Sequence, residues 1–304
     1  VLFYRDITST YYGTAQVGTV SGTSISFGTP VTFNSNNSQH ITGVYDANSQ
    51  KVVVIYGDDG NSNYGTAIVG TVSGTSISFG SEAVFNSATT NSMAVCYDVN
   101  AGKHLICYSP SNRGDAKVGT VSGTSISFGS EASLDSSQIN NLGVIYDDSV
   151  NKCVVGYYKG GPAYAKVATI SGTSVSFGSE GQVTSNTAYE FSLGYNKNTD
   201  SVIGIYKDGS NSDKLTYAAG TVSGTSISFA SPVVLNDTTD STSIGYHDAQ
   251  QKNVTFFRGT SNYGTAIVFS NGSTNVTSEN YIGITRSGAA SGAGAIIDTQ
   301  GAIA

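Results

Sequence analysis

The chain has 304 residues and a formal net charge of −7, from 14 Lys and Arg against 21 Asp and Glu. With no basic stretch, that balance excludes a nucleic-acid surface, which needs clustered cations to meet phosphate. No apolar run approaches the length of a membrane-spanning helix, and 37 Gly with 19 Tyr and no Trp suit a β-protein with many turns.

The segment at residues 1–4 (VLFY) reads as a strand that recurs later, so the chain opens inside a repeat and reads as a fragment or processed product, with no signal segment. The string SGTSISFG then occurs at residues 21–28, 73–80 and 122–129, as SGTSVSFG at 171–178 and as SGTSISFA at 223–230. Successive copies are 52, 49, 49 and 52 residues apart, a period that marks a propeller, a solenoid or an array.

Residues 39–85 serve as the type unit. Residues 40–45 (HITGVY) form strand a, 46–50 a polar turn, and 51–56 (KVVVIY) strand b. Residues 57–63 (GDDGNSN) form a loop, 64–72 strand c, Ser73-Gly74 a tight turn, and 75–80 (TSISFG) strand d. Strand b is continuously apolar and so buried on both faces, whereas strand d alternates and is buried on one. That gradient, with four antiparallel strands in about 50 residues, is blade-like.

Strand b recurs at residues 1–4, 51–56, 103–108, 152–157, 201–206 and 252–257, and strand c also recurs six times, ending at 263–269. Residues 274–277 read as a degraded strand d. Residues 281–286 (YIGITR) read as a degraded strand a, aligned through Gly283 and Gly43. The expectation is an all-β fold over residues 1–286: a six-bladed β-propeller of four-stranded antiparallel blades. The N- and C-terminal strands share one blade and close the ring. Five blades plus a partial blade is the alternative, and residues 287–304 read as a Gly/Ala-rich linker or the start of a further module.

Within one chain, the copies can be compared with each other. The c–d turn is Ser-Gly in all five clear copies, and the a–b turn is nearly as uniform. The b–c loops differ in length and charge: RDITST, GDDGNSN, SPSN, YKGGP, KDGSNSD and RGTSN. The d–a segments differ as well. Variation gathered on the face of b–c and d–a loops marks a recognition surface, since loops on rigid scaffolds carry function. Tyr12, Tyr64, Arg113, Tyr158, Lys207, Arg258 and Tyr263, with Tyr11, are its candidate ligand-binding residues. Tyr and Arg are favoured interface anchors. The other reading of these aromatics is packing between blades.

No catalytic constellation is evident. His40, His104 and His247 lie in different copies at non-equivalent positions and read as structural. Glu82, Glu131 and Glu180 recur in one GSE context and read as scaffold, since an acid–base pair must be unique. Asp58, Asp59 and Asn61 resemble part of a calcium loop that lacks its terminal Glu, and turn chemistry explains them equally. No cofactor is otherwise expected. Cys96 and Cys107 could face each other across a hairpin, leaving a disulfide there and three buried thiols both open. Sequons occur at Asn36, Asn236, Asn253, Asn271 and Asn275.

The GTVSGTSISFG blocks, the YD…K hairpins and the SNYGTA segments resemble repeats of tail-fibre and other virion-associated proteins of marine phages and related environmental sequences. The resemblance spans about residues 1–269, and YIGI in the tail resembles the opening of a further small β module. It implies an extracellular or virion location and an attachment role, and it assigns no individual residue. The expected function is a non-enzymatic recognition or adhesion module for a host-surface glycan or protein, with homo-oligomer or virion neighbours as further partners. A structural decoration or filament protein is the alternative. A polysaccharide hydrolase ranks third.

Overall fold

Strand b sets the core. Lys51–Asp58 carries five successive apolar side chains, Val52 to Tyr56, each at most 6% exposed. β-Branched residues favour the extended chain, and burial of both faces follows from packing a neighbouring sheet on each. The structure is a computed structural model, and it describes residues 1–236, 239–259, 264–270 and 281–284. Among these residues there are strands and three one-turn 3-10 helices, Ile7–Ser9, Asp59–Asn61 and Asp248–Gln250.

Each clear copy forms an antiparallel sheet in the order a-b-c-d. In the third sheet these strands are Lys152–Tyr158 at b, flanked by Asn140–Asp147, Ala163–Ser171 and Ser174–Phe177. In the second independent sheet they are Ser92–Asp98, Lys103–Ser109, Gly114–Ser122 and Ser125–Phe128. The expected four strands are joined by a fifth. Ser125–Phe128 pairs only the second half of Gly114–Ser122, and Ala132–Asp135 pairs its first half. Ala83–Thr89, Gly181–Thr184 and Val233–Asn236 repeat this arrangement. The outer position of each sheet is thus one strand broken in the middle.

The break is where the repeats touch. An added Cβ on Gly28, Gly80, Gly129 or Gly178 would lie 2.0, 2.0, 1.8 and 1.7 Å from the carbonyl oxygens of Thr75, Thr124, Thr173 and Thr225 respectively. The last residue of each SGTSISFG string therefore abuts the third residue of the next one. That single contact ties both ends of the string to fixed residue types. The hairpin turn is Gly-Thr rather than the expected Ser-Gly: Ser73 pairs Ser76, and Gly74 has φ +58°. Glycine first with positive φ is the arrangement of a II′ turn, and it places the Thr carbonyl at the contact.

Aromatic residues complete the joints. Phe33 packs on Tyr56 and Phe79 of the next copy, and Phe85 on Tyr108 and Phe128. Ile77 and Ile126, the inward residues of strand d, are buried as expected. Ile25 and Phe27, in the same register of the first copy, are 55% and 48% exposed and have no such cover among the described residues.

The recurrent Glu residues belong to this scaffold. The Tyr56, Tyr108 and Tyr157 hydroxyls donate to Glu82, Glu131 and Glu180 at 2.6, 2.8 and 2.6 Å. In the copy where Pro232 replaces Glu, the buried Tyr206 hydroxyl meets no carboxylate, and burial pushes its pKa up to about 12. Tyr108→Phe is expected to cost about 1–2 kcal/mol, whereas Tyr206→Phe costs almost nothing. Urea denaturation of the two variants measures the difference.

By internal contacts the chain divides into two units. The first, residues 1–146, 151–153 and 168–177, holds a core around Phe33, Tyr56 and Ile77 and another around Phe85, Ile106 and Tyr108. The second, residues 147–150, 154–167 and 178 onward, holds a core around Ile203, Leu215, Tyr217 and Phe269.

Two further expectations are corrected. Tyr281–Ile284, expected as a strand a beside the first strand b, pairs with the first half of Gly264–Phe269 instead. It occupies the place of the fifth short strand, pairing the same half of strand c as Ala132–Asp135 with the register one residue further along. The expected degraded strand d at 274–277 lies outside the described residues. Cys96 lies opposite Leu105, and Cys107 opposite Ala94, so these two do not form a directly facing hairpin pair. The Cys96 sulfur is 2.8 Å from that of Cys153 instead.

Candidate functional site

The variable loops begin where strand b ends. The residue following the strand-b aromatic is Arg5, Gly57, Ser109, Tyr158, Lys207 or Arg258 in the six copies. Its neighbour on strand a lies beside a bulge: His40, Asn141, Glu190 and Ser241 have φ between 50° and 55°, and the strand a–b register shifts there in the sheets of His40, Glu190 and Ser241. A bulge re-aims side chains and often marks a binding position.

A cleft lies at the first of these corners, within the first unit. It has a volume of about 370 Å³ and is lined by Phe3, Tyr4, Arg5, Ser38, Gln39, His40 and Ile41. That is the lower end of the size range of small-ligand pockets. Arg5 lies over the Tyr11 ring with its guanidinium carbon 4.9 Å from the centroid. Among the described residues, Arg5 makes no ion pair. Burial lowers the His40 pKa, and the Arg5 charge lowers it further, so the imidazole is neutral at pH 7. Gln39 donates its side-chain amide to Asn63 at 3.1 Å. The cleft offers two aromatic rings, a cation and short polar groups, and no carboxylate lines it.

The expected ligand-binding residues belong to different repeats. Tyr12 and Tyr64 are half-buried at the starts of their strands c. Arg113 donates to Asp115 at 2.6 Å and to Glu131 at 3.0 Å. Tyr158 packs against Tyr189 with ring centroids 6.2 Å apart. Lys207 lies 3.3 Å from Asp213 and 3.8 Å from Asp240, and Arg258 pairs with Asp240. Tyr263 lies outside the described residues. Arg5 and His40 were absent from the expected set. The signal that finds Arg5 is its equivalence to Tyr158, Lys207 and Arg258 once the strand-b aromatics are aligned.

Turn chemistry occupies the residues of the calcium reading. Asp58 accepts from the Gly60 backbone N–H and the Asn34 amide, both at 3.1 Å, and Asp59 accepts from Asn37 at 3.1 Å. Asn61 ends the one-turn helix that Asp58 caps. Among the described residues, no group of three or more His, Cys, Asp or Glu could hold a metal ion. His247 accepts from the Gln250 backbone N–H as a turn cap. His104 is fully buried, 3.7 Å from Asp46, and Asn253 is 1% exposed, so its sequon is closed in the folded chain. No helix among the described residues is long and apolar enough to cross a membrane.

A scan against protein-family models finds none that matches, and a search of the curated proteins finds no match. Solved structures do match. The Aleuria aurantia lectin AAL, an N-to-Q mutant in complex with Fucα1-6GlcNAc, superposes with TM-score 0.53 and 12% identity, over 89% of this chain and 88% of that one. The fold is a β-propeller. AofleA from Arthrobotrys oligospora matches with TM-score 0.54 and 10% identity, over 89% and 86% of the two chains. TolB from Acinetobacter baumannii matches with TM-score 0.51 and 12% identity, over 88% of this chain and 59% of that chain. At these identities the likeness concerns the propeller scaffold.

Proposed function

We propose that this propeller is a non-enzymatic recognition module that binds glycans at the strand-b ends of its repeats. In this reading it is the attachment part of a virion fibre or surface appendage. The observation that carries the reading is the contrast between two sets of positions. The Gly-to-Thr contact and the Tyr–Glu pairs that hold the sheets recur from copy to copy. The position after each strand-b aromatic changes in size and charge.

Rigid repeats with interchangeable corner residues suit a surface that reads varied ligands through several weak sites. Aromatic faces beside short polar groups match sugar rings and hydroxyls. A glycan-bound propeller lectin among the structural neighbours supports the glycan class over a protein partner. The recurrent carboxylates are tied to Tyr, Arg and Lys rather than set as a free pair, which supports a non-enzymatic role.

A glycan-array screen of the whole chain, run with calcium and with chelator, tests the reading. Binding to a defined set of glycans that survives chelation is expected. Absence of binding together with concentration-dependent assembly in the same sample would instead establish a filament or decoration protein.

A further inference from the structure

We infer that the Arg5–His40 cleft takes a sugar bearing an acidic group, with the ligand's carboxylate or sulfate seated on the Arg5 guanidinium. The inference rests on the glycan-binding reading above. Its warrant is what the same corner holds elsewhere in the chain. In the second unit, Lys207 stands in the register of Arg5, and Asp240 stands in the register of Gln39 on the following strand a. There the Asp240 carboxylate reaches Lys207 at 3.8 Å. At the preceding corner, Tyr158 is covered by Tyr189, again from the register of Gln39. The protein thus fills these corners with its own carboxylate or ring.

At the first corner the strand-a residue is Gln39, which is turned to Asn63. Arg5 is left stacked on Tyr11, without an ion pair among the described residues, at the mouth of an open cleft. A ligand carboxylate there does for Arg5 what Asp240 does for Lys207. Guanidinium is suited to this because it binds a carboxylate or sulfate through two parallel N–H donors.

The test is binding of the whole chain to matched neutral and acidic glycans, the latter bearing a uronic acid, a sialic acid or a sulfate ester. Wild type, Arg5→Gln, Arg5→Lys and Lys197→Gln are compared. Acidic glycans are expected to bind at least about tenfold more tightly than neutral ones, with that preference lost in Arg5→Gln. Partial retention in Arg5→Lys and no change in Lys197→Gln, at an exposed lysine of an a–b turn, complete the expected pattern. Equal binding of neutral and acidic glycans, unaltered by Arg5→Gln, would overturn the acidic class and leave glycan recognition standing. Binding to no glycan would overturn both.

A separate observation concerns the cysteines. We propose that Cys96 and Cys153 form a disulfide joining two neighbouring repeats, with Cys107 remaining a thiol. The two sulfurs are 2.8 Å apart, well inside the about 3.5–4 Å at which even carbon atoms rest in contact. A bond of about 2.0 Å needs only a small side-chain adjustment. Both residues sit in strands of the first unit, 57 positions apart, and are buried. Burial with the neighbouring Cys153 raises the Cys107 thiol, and the contact with Cys96 and burial raise Cys153. Exchange is therefore slow in the folded chain, and the bond forms while folding proceeds.

The reaction is thiol–disulfide exchange with a small-molecule disulfide such as oxidised glutathione. One Cys thiolate attacks that disulfide and releases one glutathione thiol, giving a mixed disulfide. The second Cys thiolate attacks the first Cys sulfur of that mixed disulfide, forming the protein disulfide and releasing the second glutathione thiol. Two protein thiols are oxidised, one disulfide is reduced to two thiols, and the two Cys protons end on the released thiols.

Refolding in a glutathione redox buffer followed by thiol counting in denaturant reads the result. One free thiol per chain is expected before reduction and three after it, with a cross-linked peptide pair containing Cys96 and Cys153. Reductant should lower the Tm by roughly 10 °C in wild type and leave Cys153→Ser unmoved. Three free thiols after refolding, or a bond to Cys107, would overturn the proposal. The wild-type count decides even where a serine variant does not fold.

Discussion

Gly129→Ala is expected to destabilise the protein by about 3 kcal/mol, one of the larger effects available from adding a methyl group. The new Cβ would stand 1.8 Å from the Thr173 carbonyl oxygen, and 2.8 Å from its carbonyl carbon. These are backbone atoms of a tight hairpin turn, so no side chain can swing away. One sheet must separate from the next. Gly123→Ala is the control, because Gly123 has φ +61° and nothing within 4 Å of an added Cβ. Its cost is backbone strain alone, about 1 kcal/mol. Urea midpoints should therefore fall further for Gly129→Ala than for Gly123→Ala. The reverse order would show that the repeats are not held by this contact.

Acid should remove about 3 kcal/mol of stability through one side chain, His104. It is 0% exposed, and burial lowers its pKa to about 4 against the opposing pull of Asp46 at 3.7 Å and of the Gly119 backbone. In the unfolded chain an imidazole titrates near 6.5. The sign follows from proton uptake. As pH falls below about 6.5 the unfolded state binds a proton that the folded state refuses, so stability is lost progressively until about pH 4. Asp46 adds to the loss only below its usual range: burial would raise its carboxyl, but hydrogen bonds from Ser49 and the pull of His104 hold it lower.

Copies two and five carry Val52 and Val202 at the position of His104. His104→Val should therefore fold, match or exceed wild-type stability at pH 7, and lose the pH dependence between 6.5 and 4. Chemical denaturation of both proteins across that range measures it. Parallel pH profiles would show that His104 is not the responsible group.

The pattern of apolar residues made strands b and d legible, since KVVVIY has no polar face and TSISFG has one. The fifth strand was hidden because ASLD and GQVT are four residues long and sit among Ser, Thr and Asn, with no period to read. The Tyr–Glu pairs were half legible. The recurrence of Glu82, Glu131 and Glu180 marked them as scaffold, and the loss of Glu at Pro232 beside a retained Tyr206 could have named the partner.

The cleft was not legible from spacing. Arg5 and His40 are 35 positions apart and meet only because one strand b packs on the next strand a. The loop aromatics drew attention first. Cys96 and Cys153 illustrate the same limit. Hairpin reasoning pairs cysteines within one sheet, whereas these two meet between sheets.

The central claim is that recognition resides at the residue after each strand-b aromatic. The direct test replaces Arg5, Tyr158 and Lys207 together with Ser, the residue that Ser109 already supplies at this register. Glycan-array binding and the urea midpoint are then compared with wild type. The account predicts a chain with a near-wild-type midpoint and no glycan binding. An unchanged binding profile in that folded triple variant would contradict it.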